Sequence, residues 1–191
     1  VSFSSRSLGS DTLVFQGEFN FDDWSGDLVA YEFEEDGSLA QKWSASDQLN
    51  TPGGWNLSNT HNWTSAESVG RQFVWEEAMP ATHKADLESG DGDGEKRLNY
   101  LRGDHSDEIV SGGTFRNRHN SRLGDIFRSR PVYVGVPNLA WPDTGVFDDG
   151  VGTRYSDFEN DQQGRRPMVY VGANDGALHG FRAETGKEVL R

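Results

Sequence analysis

The chain has no cysteine in its 191 residues, so neither a disulfide framework nor a cysteine-ligated metal site is open to it. No apolar run approaches the ~20 residues that a membrane-crossing helix requires. Basic residues are scarce: 18 Lys and Arg stand against 31 Asp and Glu, a formal net charge of −13. A nucleic-acid partner needs Lys and Arg to displace counterions from phosphates, and an anionic lipid surface needs the same charge. Neither nucleic-acid binding nor membrane insertion is therefore expected. The opening stretch, VSFSSRSLGSD, lacks the charged start and apolar core of a signal peptide, so we expect a mature or excised piece. Apolar residues are also few, at 34 %, with a mean hydropathy of −0.75, which implies long polar loops.

Glycine is abundant, with 23 residues, and it punctuates the sequence in a pattern. In VYVGANDGALHGF, residues 169–181, Val169-Tyr170-Val171 has the β-branched and aromatic composition of a strand. Asn174-Asp175-Gly176 supplies residues that tolerate positive φ at a tight hairpin tip. Leu178–Phe181 reads as the returning strand, Thr185-Gly186 as a second turn, and Glu188–Leu190 as a third strand. An earlier stretch repeats the design. Val14-Phe15-Gln16-Gly17 aligns with Val169–Gly172, and Gly26, Leu28, Ala30 and Tyr31 align with Gly176, Leu178, Gly180 and Phe181. Strand, Gly turn, strand, Gly turn, strand is the unit of a propeller blade.

The expected fold is therefore all-β: an incomplete β-propeller of antiparallel meanders with long loop insertions, forming one domain over 1–191. A first, partial blade covers 13–43. A long insertion, 44–123, carries a strand at 71–77 and a short helix at 96–103. A second blade covers 124–191, with strands over 131–135, 168–173, 177–183 and 187–191, interrupted by an insertion, 136–167, whose acidic second half is expected to be mobile. A further strand or blade is expected beyond Arg191.

Few residues carry obvious chemistry. ESGDGDGEKRLNY, residues 88–100, has the acidic, Gly-rich look of a calcium loop. Setting Gly94 at its turn places Asp91 and Asp93 as ligands, but puts Ser89 first and Tyr100 at the bidentate position, where it cannot serve. The same stretch also reads as a solvated loop. Arg102-Gly103-Asp104 is the tripeptide read by integrins, or else a local ion pair flanking a turn. Arg116, Arg118, Arg122, Arg128 and Arg130 crowd one segment, and suit either an anionic partner or pairing with neighbouring carboxylates. His61, His83, His105, His119 and His179 show no metal-ligand spacing, and His179 reads as a packed or edge residue. No nucleophile elbow or nucleophile–base pair is visible. Trp24, Trp55, Trp63 and Trp141 fall in loop-like sequence, where an indole either anchors its loop or meets a ligand.

DWSGDLVAYEFEEDGSL, LNYLRGD, FRNRHNSRLGDIFRSRPVYVG and RPMVYVGANDGALHGFRAETGKE, in that order, resemble the C-terminal β-propeller of the PilY1/PilC type IV pilus biogenesis and tip-adhesion family. The resemblance implies a non-enzymatic, secreted protein of the periplasm, outer membrane and pilus tip. It implies support of pilus extension against retraction, minor and major pilins as partners, and attachment to host-cell or abiotic surfaces. Calcium can accompany the family's propeller, and its site is expected beyond Arg191. A purely structural envelope scaffold is the alternative. The final motif is also similar to blades of pyrroloquinoline-quinone (PQQ) dehydrogenases, but Arg182 stands where those carry Asp and Leu190 where they carry a docking Trp, and no PQQ is expected. The implied contact surfaces are the hairpin tip with Trp24, the 51–70 loop and the 136–167 insertion.

Overall fold

Apolar residues alternate with small or polar ones along Leu13–Asn20 and Ser25–Phe33, and in the computed structural model these are strands β2 and β3 of one antiparallel hairpin. The structure describes residues 1–4, 12–55, 62–66, 69–76, 79–118, 121–144 and 154–191. Ser2–Phe3, β1, pairs with β2, and Leu39–Ser44, β4, pairs with β3, so the first sheet runs β1-β2-β3-β4. The partial blade expected over 13–43 is thus a four-stranded sheet. Its extra strand is only two residues long, too short to announce itself by alternation.

The chain then leaves the sheet. Helix α1, Ala45–Asn50, starts at Ser44, whose Oγ accepts from the Asp47 N–H at 3.0 Å. Trp63–Ala66, β5, and Val69–Gln72, β6, form a separate two-stranded ladder. The strand expected at 71–77 therefore ends at Gln72. Its partner begins at Trp63, opposite Gln72, and past that pair only the Phe73 N–H, donating to Asn62 O at 2.8 Å, continues the pairing. Two helices follow, α2 at Ala81–Glu88 and α3 at Gly94–Leu101, the second over most of the helix expected at 96–103.

The second sheet is formed by β7, Val132–Val134; β8, Met168–Gly172; β9, Leu178–Arg182; and β10, Glu188–Leu190, in the order β10-β9-β8-β7. The repeat is realised in register: Phe15 faces Ala30 as Tyr170 faces Gly180, and Gly17 faces Leu28 as Gly172 faces Leu178. Inside the insertion, the half expected to be mobile contains helix α4, Tyr155–Asp161. Ser156 anchors its start by donating from both N–H and Oγ to Asp143, and the buried Tyr155 hydroxyl accepts from the Leu139 N–H at 3.1 Å.

The two sheets pack face to face. Phe15, Leu28, Ala30 and Trp43 of the first meet Val169, Val171 and Phe181 of the second, with Leu49 and Leu123 completing the core. Trp43 reaches furthest across. Its Nε1 donates to the Ala183 carbonyl at 2.8 Å, and its ring lies against Gly186, where a Cβ would come within 2.7 Å. The sheets do not close into a ring, as expected for an incomplete propeller.

Candidate functional site

One connecting segment determines how the hairpin tips of the two sheets sit together. Residues 121–127 run along the β2–β3 hairpin: Gly26 N–H donates to Leu123 O at 3.1 Å, and Ser25 bridges to Gly124. The contact is close enough to require glycine, since a Cβ on Gly26 would lie 2.0 Å from the Gly124 carbonyl oxygen. The same segment grips the tip of the second sheet. Asn174 N–H donates to Asp125 O at 3.0 Å, Asn174 Nδ2 donates to Asp125 Oδ2 at 2.6 Å, and Gly124 N–H donates to Asp175 Oδ2 at 3.2 Å.

At the far end of the first hairpin lies a group of aromatic side chains. Phe19 meets Phe21 edge-on at 4.5 Å between ring centroids and Phe127 at 5.5 Å. Phe21 is 71 % exposed and Trp24 is 61 % exposed. Trp24 holds φ = 57°, a left-handed conformation that a bulky side chain rarely adopts. Phe19 and Phe21 were not singled out in the sequence, because FQGEFNF reads as strand alternation, and Phe127 stands alone in the connecting segment.

Behind Trp24 lies a cleft of about 320 Å³ whose walls include Tyr100, Arg116, Arg118, Arg122 and Asp175. Its arginines are largely committed to the protein. Arg118 Nε donates to the buried Glu108 Oε1 at 2.7 Å, its Nη1 to Tyr100 O at 2.7 Å and its Nη2 to Asp104 O, while the guanidinium lies over the Tyr100 ring. Arg122 donates to Gly103 O and Leu49 O, each at 3.0 Å, and lies over the Trp55 ring. Of the five clustered arginines, Arg116, Arg128 and Arg130 are exposed.

The cleft floor leads to a charged network. His179 is fully buried; its Nδ1 lies 2.7 Å from Glu188 Oε1 and its Nε2 3.0 Å from Asp175 Oδ2. Arg191 Nε donates to Glu188 Oε1 at 3.2 Å and its Nη2 to Arg122 O at 2.8 Å. Burial opposes charge on this imidazole, but the hydrogen bonds to Asp175 and Glu188 prevail and raise its pKa. Burial likewise pushes Asp175 up, yet the hydrogen bond and charge of His179 bring it down to about 2. His179 is thus a packed residue, but one with two carboxylate partners that spacing along the sequence does not reveal.

The other candidates are dispersed. Gly103, at φ = 108°, is buried against Trp55 and Arg191, so Arg102-Gly103-Asp104 closes helix α3 and forms part of the protein body, not a projecting loop. Trp55 anchors its loop, donating from Nε1 to Arg102 O at 3.1 Å. Trp63, half exposed, lines a separate hollow of about 510 Å³ with Leu101, Leu178 and Leu190. Trp141 is half exposed in the 136–144 segment. Asp91 forms a bidentate pair with Arg97, and Asp93 pairs with Lys96 at 2.7 Å. Both carboxylates are thus held by cations, and no group of three acidic or histidine side chains suited to a metal occurs among the described residues. His61, His119, and parts of the 51–70 and 136–167 stretches lie outside the described residues.

The family model for the PilY1 beta-propeller domain matches residues 123–190, from the connecting segment through the second sheet. A type IV pilus biogenesis factor PilY1 homolog of Xylella fastidiosa (strain Temecula1 / ATCC 700964) is 34 % identical over 193 residues, which covers 100 % of this chain and 14 % of that protein. The chain belongs to the PilY1 family. The type IV pilus biogenesis factor PilY1 of Pseudomonas aeruginosa strain PAK is 36 % identical over 185 residues, covering 88 % of this chain and 15 % of its own length. Its counterpart in strain PAO1 is 35 % identical over the same span. The chain therefore spans about one seventh of the length of these PilY1 relatives, 14–15 %. No solved structure matches it at a significant level. Within PilY1, the part described here is a propeller segment of two packed four-stranded sheets with loops and helices between them.

Proposed function

We propose that this chain is a non-enzymatic segment of a type IV pilus biogenesis factor, in which a rigid pair of propeller sheets displays loops to partners at the pilus tip. The observation that carries the reading is similarity along its whole length to proteins named for pilus biogenesis, 34 % identity over 100 % of the chain in one case. Function in such a scaffold belongs to what the sheets display. The role so proposed is support of pilus extension against retraction, with minor and major pilins as partners. Attachment to host-cell or abiotic surfaces follows from a position at the tip, outside the inner membrane. Among the described residues, no helix is long and apolar enough to cross a membrane. For calcium, the proposed site lies beyond Arg191, with Asp91 and Asp93 as the weaker candidates within this chain.

The test is deletion of the parent reading frame in its source bacterium, with surface pili counted by electron microscopy in cells with and without active retraction. Pili that disappear and return when retraction is disabled are the expected result. Unchanged pilus numbers would overturn the reading.

A further inference from the structure

The aromatic side chains at the β2–β3 tip have no evident structural task. Phe21 and Trp24 are mostly in water, and Phe19 and Phe127 are 37 % and 50 % exposed. Phe19 touches both Phe21 and Phe127, and exposed aromatics grouped in this way, unlike scattered single side chains, mark a binding site. The backbone is strained to display them. Trp24 lies at φ = 57° and Arg128, beside Phe127, at φ = 62°, where glycine or asparagine would sit at lower cost.

The tip is also held in one shape. Asn20 Oδ1 accepts from the Asp22 N–H and Asp23 Oδ1 from the Ser25 N–H, each at 3.0 Å, while Gly17 and Gly26 rest against Ile126 and Gly124. Rigid, exposed aromatics on a pre-shaped tip lose little freedom on binding, which is what a binding anchor needs.

The charges around the patch select the partner. Asp22 and Asp23 stand between Phe21 and Trp24 in the chain, Arg128 lies over the ring of Phe127, and of the arginines in the cleft behind Trp24 two, Arg118 and Arg122, are tied internally while Arg116 is exposed. A second copy would bring the same carboxylates face to face on a chain of net charge −13. An anionic bilayer would be repelled in the same way. We infer that the patch of Phe19, Phe21, Trp24 and Phe127 is a docking surface for a protein partner that offers apolar side chains within a rim of lysines or arginines. The inference stands on the patch itself, and its failure would leave the pilus reading intact.

Binding is measured calorimetrically on the full chain with three probes: an amphipathic helical peptide of leucine and lysine, its leucine and glutamate counterpart, and anionic phospholipid vesicles. The expected result is binding of the lysine peptide alone, weakened at least about tenfold in Phe21→Ser/Trp24→Asn, since anchors of this kind dominate interfaces. Asparagine suits the left-handed backbone at position 24, so this variant should melt as the parent does. A second variant, Asp22→Asn/Asp23→Asn, keeps the aromatics and the side-chain oxygen that the Ser25 N–H uses, and should reduce the salt dependence of binding. Absence of peptide binding overturns the inference. So does binding unchanged by the loss of Phe21 and Trp24, which would reflect net charge alone. Patch-dependent binding to vesicles, or patch-dependent self-association, overturns the assignment of the partner.

Discussion

At His179 a buried imidazole is flanked by Asp175 and Glu188, and stability at this site therefore depends on pH in two directions. The pKa of His179 is raised above 6.5, so its contribution is complete below 6.5 and is lost as pH rises through the folded value. The pKa of Asp175 is lowered from 3.8 to about 2, so its contribution is present above 3.8 and fades as pH falls toward 2. Urea unfolding across pH should show a plateau between those limits and a decline on both sides. In His179→Gln the alkaline decline should flatten. Removing the ring, in His179→Ala, leaves two carboxylates near Arg191 without their shared partner and should cost ~3–5 kcal/mol, the range for breaking a buried ion pair. A cost within ~0.5 kcal/mol would show that water replaces the ring freely. The strand position of His179 was legible from its neighbours in the sequence. Its partners were not, because Asp175 arrives through the hairpin turn and Glu188 through pairing with the next strand.

At the scale of elements, two contacts between them have no counterpart within any single one. Trp43 belongs to β4 but donates to Ala183 and packs on Gly186 of the other sheet. Trp43→Phe keeps most of the apolar contact, removes the donor and leaves a buried carbonyl unpaired, which should cost about 1–3 kcal/mol. A lower urea midpoint at unchanged slope would confirm it. Gly26→Ala drives a methyl into the Gly124 carbonyl and should cost at least about 1–3 kcal/mol by overpacking. Proteolysis should then cut near residues 121–127 before the sheets, because that segment has lost its seat. Alternation and Gly turns made the blade strands readable. The strand expected at 71–77 stops at Gln72 because a strand persists only where it has a partner, and helix α4 escaped the sequence because it is held by Asp143 and Leu139, more than ten residues away.

For the whole molecule, each sheet uses one face in the shared core. The opposite face of the second sheet leaves Val132 and Leu178 each 55 % exposed, beside the partly buried Tyr170 and Leu190. Such a face favours association with other apolar surfaces. Sedimentation velocity on the chain should show self-association that increases with concentration and diminishes in Val132→Lys/Leu178→Lys. The monomer stability of that variant should stay within about 0.5 kcal/mol of the parent, since both positions are half in water. Association unaffected by these changes would place it on another surface.

The all-β class, the hairpin register and the two-blade repeat were determined by the sequence itself. A period of two, with Gly and Asn-Asp-Gly at the reversals, leaves little freedom in local pairing. The order of PilY1-like motifs carried the family. Only the tertiary structure decided what the charged and aromatic side chains do. Arg118 and Arg122 became internal ties, Asp91 and Asp93 were taken up by Arg97 and Lys96, and the Arg102–Asp104 turn was folded into the body. Phe19, Phe21, Trp24 and Phe127 were left in water. The reason is one of geometry: strand pairing is decided by neighbours along the chain, whereas burial and charge pairing depend on which side chains meet in space, from Asp91 and Arg97, 6 residues apart, to Trp43 and Ala183, 140 residues apart.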